Sequence, residues 1–188
     1  MKGDVRINNA VTKPGALVGP GDTISTSAAS HVVFVIGQDA FLLREQSRLL
    51  ISGEKASTSV SGELKDAVVK VLNLISGKML TSFSKGEKRI ATPTVTIGIR
   101  GTGVYVEAEP GRSYVCTCYG ETVLEASTGA SEKIKATYHD APRYIYAPGA
   151  TEVIAKAPVI NHSDDELIML EALLGRSPPF AATTERRY

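Results

Sequence analysis

Cys116-Thr117-Cys118 is the segment whose residue types and spacing come nearest to chemistry. On an extended strand, side chains two apart point to the same face, so both thiols can approach one metal ion. Two sulfurs do not complete a tetrahedral site, and a structural zinc needs further ligands. The candidates are His139 and Asp140, which follow the next expected strand, and His162, which precedes a helix signal. No Cys-x-x-Cys pair and no adjacent histidine pair supports them. Packed or free thiols are therefore the preferred reading, with a strained disulfide or a metal centre at Cys116, Cys118, His139 and His162 as alternatives. No cofactor and no stoichiometric metal are expected.

A β-branched run from Thr92-Pro93 to Val106 is interrupted by Gly98, Gly101 and Gly103 around Arg100. It predicts two strands meeting at a tight corner, since glycine permits positive φ or close backbone approach. Arg100, with Gly98, Gly101 and Thr102, is expected to bond carbonyls at that corner; a partner-contacting arginine is the alternative. Arg143 among Tyr138, Tyr144 and Tyr146 suggests a cation–π patch for a partner. Catalytic arrangements are poorly represented. There is no Gly-x-Ser-x-Gly, no His-Glu-x-x-His, no phosphate-binding loop and no dinucleotide fingerprint, so an enzyme is not expected. Gly19-Pro20-Gly21-Asp22 reads as a turn, and Asp164, Asp165 and Glu166 read as helix capping.

The elements that must position these residues are mostly strands. Strand patterns recur at 4–8, 23–26, 31–36, 40–43, 48–51, 78–83, 94–97, 103–107, 113–118 and 122–126, separated by Gly, Pro and Asp clusters. This spacing predicts an all-β fold: an irregular stacked-sheet or sandwich body, or a short solenoid-like one, with one C-terminal α-helix. Residues 63–75 fit helical and alternating patterns alike; three valines between 68 and 71 favour a strand. Residues 53–62 read as an exposed loop. Ser163-Asp164-Asp165-Glu166 is a capping box, and Leu167, Leu170, Leu173 and Leu174 form an apolar stripe ended by Gly175 and Pro178-Pro179, so a helix spans about 164–174. The expected division is a β domain over 1–126, an extension with the helix over 127–180, and a frayed tail over 181–188.

The order Gly3-x-Val5-x-Ile7-Asn8, Gly19-Pro20-Gly21-Asp22-Thr23-x-x-Thr26, Ser30-x-x-x-Phe34, Thr92-Pro93 and Gly98-Ile99-Arg100-Gly101-Thr102 resembles the FecR domain, over residues 3–126. That resemblance implies a periplasmic or surface-exposed β module. In FecR-type regulators such a domain receives a signal from an outer-membrane transporter and relays it through a membrane helix to an anti-sigma segment. The implied function is a noncatalytic interaction or scaffold module of the bacterial envelope, with a protein partner or self-association; a metal- or redox-linked envelope protein using the Cys-x-Cys pair is the alternative. The combination of Cys116 and Cys118 with an extension that carries His139 and the capped helix departs from the plain regulator pattern.

Composition agrees with a folded, charge-balanced protein. The 188 residues are 43% hydrophobic and 22% charged, and 21 basic against 20 acidic residues give a formal charge of +1. Such a balance supplies no global field toward nucleic acid or anionic lipid. The longest apolar stretches fall short of the roughly 20 residues that span a bilayer. The expected first strand begins almost at Met1 without an apolar leader, which fits either an intracellular protein or a processed or truncated start; the FecR resemblance implies the second, in a periplasmic or extracellular protein.

Overall fold

The computed structural model describes residues 1–54 and 68–181. They form β1 (Val5–Ile7), β2 (Ala10–Val11), β3 (Thr23–Thr26), β4 (Val32–Ile36), β5 (Asp39–Leu43), β6 (Arg48–Glu54), β7 (Val68–Ser82), β8 (Glu87–Ala91), β9 (Val95–Glu109), β10 (Arg112–Ala126), β11 (Ser131–Ala136), β12 (Arg143–Tyr146), β13 (Ile154–Lys156) and the helix α1 (Asp164–Leu173). One open sheet follows the path β13-β12-β10-β9-β8-β7-β6-β3-β1-β2, with β11 on β10 and the β4–β5 hairpin joined through β5 to β7. The all-β class with a single C-terminal helix is as the sequence indicates. Three strands, β11, β12 and β13, extend this same sheet beyond residue 126. Of the ambiguous segment 63–75, the described part is strand; the expected loop at 53–62 begins within β6 and otherwise lies outside the described residues, as does nearly all of the tail.

Several short strands expected from the sequence are pieces of longer ones: β7, β9 and β10 each run 15 residues. The glycine-rich stretch is accordingly a change of partner within β9, not a junction of two strands. Residues Thr96 to Arg100 pair with β8, whereas Gly103 to Ala108 pair with β7. At the switch Gly101 has φ +53°, and on β10 the register slips on either side of Tyr119, next to Gly120 at φ +91°. These irregularities keep a long strand continuous while re-aiming it. A Cβ on Gly103 would lie 2.5 Å from the Tyr119 ring, so that position has no room for a side chain.

The central strands are buried on both faces. Phe41, Leu43, Met79, Val104, Val106 and Val115 belong to one core, while their neighbours Leu42, Leu80, Tyr105, Tyr114, Cys116 and Cys118 belong to a second. Period-two alternation thus feeds two apolar layers, which is why these strands read as nearly continuous apolar runs. The second layer is closed by α1 through Leu167 and Leu170, both fully buried, and by Phe180. Ser163 caps the helix in a complete capping box with Glu166. The expected leucine stripe is rotated: Leu173 is 52% exposed, and the buried place on that face belongs to Glu171 at 4%. The Glu171 carboxylate accepts hydrogen bonds from Ser82 Oγ (2.5 Å), the Tyr119 hydroxyl and Arg176 Nε (2.8 Å), which satisfy its charge under the helix.

Candidate metal centre

Strand β10 brings both thiols to the helix-covered face. Cys116 and Cys118 are fully buried, unpaired with each other, and share one apolar layer with Tyr105, Leu167 and Leu170. His139 arrives from the turn after β11. Asp140 shapes that turn, its Oδ2 accepting from the amides of Thr137 (2.6 Å) and Tyr138 (3.1 Å) and from the Thr137 hydroxyl (2.9 Å). The sequence offered Asp140 as a possible ligand; its role is this turn. His139 itself sits at φ +50°, and its amide donates to the Cys118 carbonyl at 2.9 Å. Non-glycine residues in this left-handed region carry a strain that surrounding contacts must offset.

His162 comes from the connection between β13 and α1. Asn161, just before it, is also left-handed at φ +57° and anchors the loop by donating to the buried Glu107 carboxylate at 2.8 Å. Tyr105 donates to the same carboxylate at 2.7 Å and stacks on the His162 ring, with centroids 4.5 Å apart and planes 18° from parallel. The ring is therefore held by a face and by its loop.

These four residues converge. Sγ of Cys116 and Cys118, a ring nitrogen of His139 and one of His162 all lie within 4.8 Å of one another. His139 Nδ1 is 3.4 Å from Cys116 Sγ and 3.0 Å from His162 Nε2. The outer nitrogens are both engaged: His139 Nε2 faces Asp164 Oδ1 at 3.1 Å, and His162 Nδ1 faces the Ile160 carbonyl at 2.6 Å. A carbonyl only accepts, so His162 carries its proton on Nδ1; an ionised Asp164 places the His139 proton on Nε2. In the neutral tautomers both inner nitrogens then present lone pairs toward the sulfurs and each other.

The electrostatics follow from this packing. Hydrogen bonding from Cys118, reinforced by His139 and His162, lowers the Cys116 pKa against the opposing effect of burial. Burial raises that of Cys118. For His139, burial disfavours the charged ring, but the hydrogen bonds and charges of Cys116 and Asp164 outweigh it and the pKa rises. The cluster favours one thiolate beside a cationic imidazole.

The other residues singled out in the sequence are dispersed. Arg100 is exposed, with Glu87 and Glu121 directly across from it on β8 and β10, so the carbonyl-bonded corner arginine is replaced by a surface one. Thr102 is buried, its hydroxyl bonded to the Tyr119 carbonyl. Gly98 has ordinary clearance, its nearest neighbour Val123 lying 3.8 Å from a built Cβ. Arg143 is committed to Glu132 through Nε (2.9 Å) and Nη2 (2.6 Å), and the cation over Tyr144 is Arg112, at 4.7 Å. Tyr144 packs edge-on against Tyr114, and Tyr146 lies beside Tyr144. The residue that sequence reasoning missed is Asp164: read only as part of the helix cap, it also orients His139 and accepts from the Tyr138 hydroxyl at 2.7 Å. Its position at the first turn of a helix, 25 residues from His139 in sequence, gave no sign of that partner.

No family model matches the chain, and no curated protein does. Two crystal structures of a "putative anti-sigma factor" from Parabacteroides distasonis do resemble it, each with a TM-score of 0.55 and 11% identity. The match covers 72% of this chain and 58% of that protein, so this chain spans less than two thirds of its neighbour's length. At that identity the likeness is one of fold: an open, strand-dominated body is shared with a protein named as an anti-sigma factor.

Proposed function

We propose that this chain is a noncatalytic, extracytoplasmic FecR-like interaction module that takes part in envelope signalling through a protein partner. The observation that carries the reading is the shared fold with an anti-sigma-factor structure, in a chain whose glycine-anchored segments resemble the FecR domain in the same order. An open sheet also suits protein contacts, because its edges at β2 and β13 leave backbone groups available for an added strand. At the β2 end, Val11 is 70% exposed.

The test is made in the organism that encodes the chain. A chromosomal fusion to a phosphatase reporter that is active only after export should be active, and deletion of the gene should change transcription from a small set of promoters served by one alternative sigma factor. A photo-crosslinking residue at Val11 should trap a discrete envelope protein. An inactive fusion, together with unchanged transcription, overturns the proposal.

A further inference from the structure

We propose that Cys116, Cys118, His139 and His162 form a closed, tetrahedral site for one zinc ion, which fastens the segment preceding α1 to strand β10. The metal would be structural, since four protein ligands leave no open coordination position. This reverses the expectation of no stoichiometric metal, on grounds that residue spacing could not supply.

Geometry is the first ground. Metal–sulfur bonds of about 2.3 Å and metal–nitrogen bonds of about 2.0–2.1 Å put tetrahedral edges at about 3.3 Å between two nitrogens and about 3.5 Å between nitrogen and sulfur. The corresponding separations here are 3.0 Å for His139 Nδ1 to His162 Nε2 and 3.4 Å for His139 Nδ1 to Cys116 Sγ. With no pair of ligand atoms beyond 4.8 Å, changes in separation of about an ångström close the shell.

The outer partners are the second ground. Metal-bound histidines generally donate their other ring N–H to a carboxylate or a backbone carbonyl, which fixes the tautomer and orients the ring. Both devices are present: Asp164 for His139 and the Ile160 carbonyl for His162. They turn two lone pairs toward each other at 3.0 Å, an arrangement that calls for a cation or an extra proton between them. Two left-handed residues, His139 and Asn161, aim the histidine loops, and strain of this kind concentrates where a site requires it.

The third ground is topology. The ligands come from β10, from the turn after β11 and from the loop before α1, and each histidine is 23 residues from the preceding ligand to which it lies close in space. An ion here closes two long loops at once and ties the helix start to the sheet, so metal binding and docking of this segment become one equilibrium. The neighbouring charges that face the cluster are Asp164 from α1 and, beyond Tyr105, Glu107 with Arg44 over the Tyr105 ring.

The full-length chain, purified without chelator and with its thiols reduced, should contain about one equivalent of zinc by elemental analysis. Exchange of zinc for Co2+ should give the thiolate-to-metal charge-transfer absorption and ligand-field bands of a tetrahedral sulfur–nitrogen site, and X-ray absorption should show metal–sulfur distances of about 2.3 Å. The Cys116→Ser/Cys118→Ser variant should lose the metal. Asp164→Asn, which keeps all four ligands, should weaken zinc about 10–100-fold in a chelator competition. Reduced wild-type protein that takes up neither zinc nor Co2+, or that holds a metal without sulfur ligands, overturns the assignment. The proton-filled alternative, an imidazolium–thiolate pair, would show as that metal-free result with a histidine ring doubly protonated at neutral pH by NMR. Neither outcome bears on the partner-binding proposal, which stands on the fold.

Discussion

Replacing Glu171 with alanine tests how α1 is held on the sheet, because this carboxylate is the helix's buried polar attachment. Its three donors face different fates. The Tyr119 hydroxyl, buried beneath the helix, loses its acceptor, and a buried unsatisfied donor costs about 1–3 kcal/mol. Ser82 also loses the acceptor for its buried hydroxyl proton and keeps only the bond it accepts from Arg176 Nη2 at 2.8 Å, so it adds to the cost. Arg176, with its side chain 32% exposed, can turn toward water, leaving the loss of a charge-assisted bond. Alanine itself carries no helix-propensity penalty. The sum is about 3–5 kcal/mol, the range in which removal of one member of a buried ion pair falls. Glu171→Gln keeps an acceptor for one hydroxyl and should cost less, about 1–2 kcal/mol.

Urea titration followed by far-ultraviolet circular dichroism measures both, and is the natural probe because the chain has no tryptophan. Combining Glu171→Ala with Tyr119→Phe should show a coupling of about 0.5–3 kcal/mol, because the orphaned hydroxyl is then absent. If Glu171→Ala lies within about 0.5 kcal/mol of the unmodified protein, the helix is not seated through this carboxylate and the rotated stripe is wrong.

Leu170→Ala should destabilise by about 2–5 kcal/mol while Leu173→Ala stays within about 0.5 kcal/mol, since the first is fully buried and the second 52% exposed; equal effects would restore the unrotated stripe. Lys88→Met should cost about 3–5 kcal/mol by stranding Asp39, which Lys88 Nζ meets at 2.6 Å with both side chains nearly inaccessible; a neutral result in the same titration would remove that buried pair from the account. Glu121 has its pKa lowered, chiefly by the hydrogen bond from Lys133 at 2.9 Å. Its folded value lies below the unfolded one, so its contribution is present above about pH 4.3 and is lost as pH falls through the folded pKa. An NMR titration should show the Glu121 midpoint rising in Lys133→Gln, and an unmoved midpoint would sink the pairing.

The sequence announces the fold more fully than the way its layers meet. Turn chemistry and β-branched runs mark most strands because each signal is local: Gly37 at φ +58° in the β4–β5 turn, for example, or Ser163 and Glu166 closing a capping box. What local signals do not convey is continuity. The glycines at 101, 103 and 120 read as breaks, yet they serve a strand that changes partners without ending. Nor could periodicity place Glu171 inward and Leu173 outward, because the outcome depends on Ser82 and Tyr119, which come from strands far away in sequence.

The same reasoning explains why the candidate metal centre was only half visible. The Cys-x-Cys pair is legible, since alternation along any strand sends both thiols to one face. Which face, and under what cover, depends on β9 and β10 being buried on both sides and on the helix returning over the second core. The histidines stand 23 residues apart in sequence, too far for a local motif to register them. Their meeting is produced by the registry of β11 on β10 and by two left-handed residues that turn the loops inward. A pair of loops shaped at the expense of backbone strain, each ending in an imidazole whose outer nitrogen is already occupied, is difficult to account for as packing alone. Apolar side chains would fill the same layer without the strain or the buried polar atoms, so the residues chosen here favour an ion over a filler.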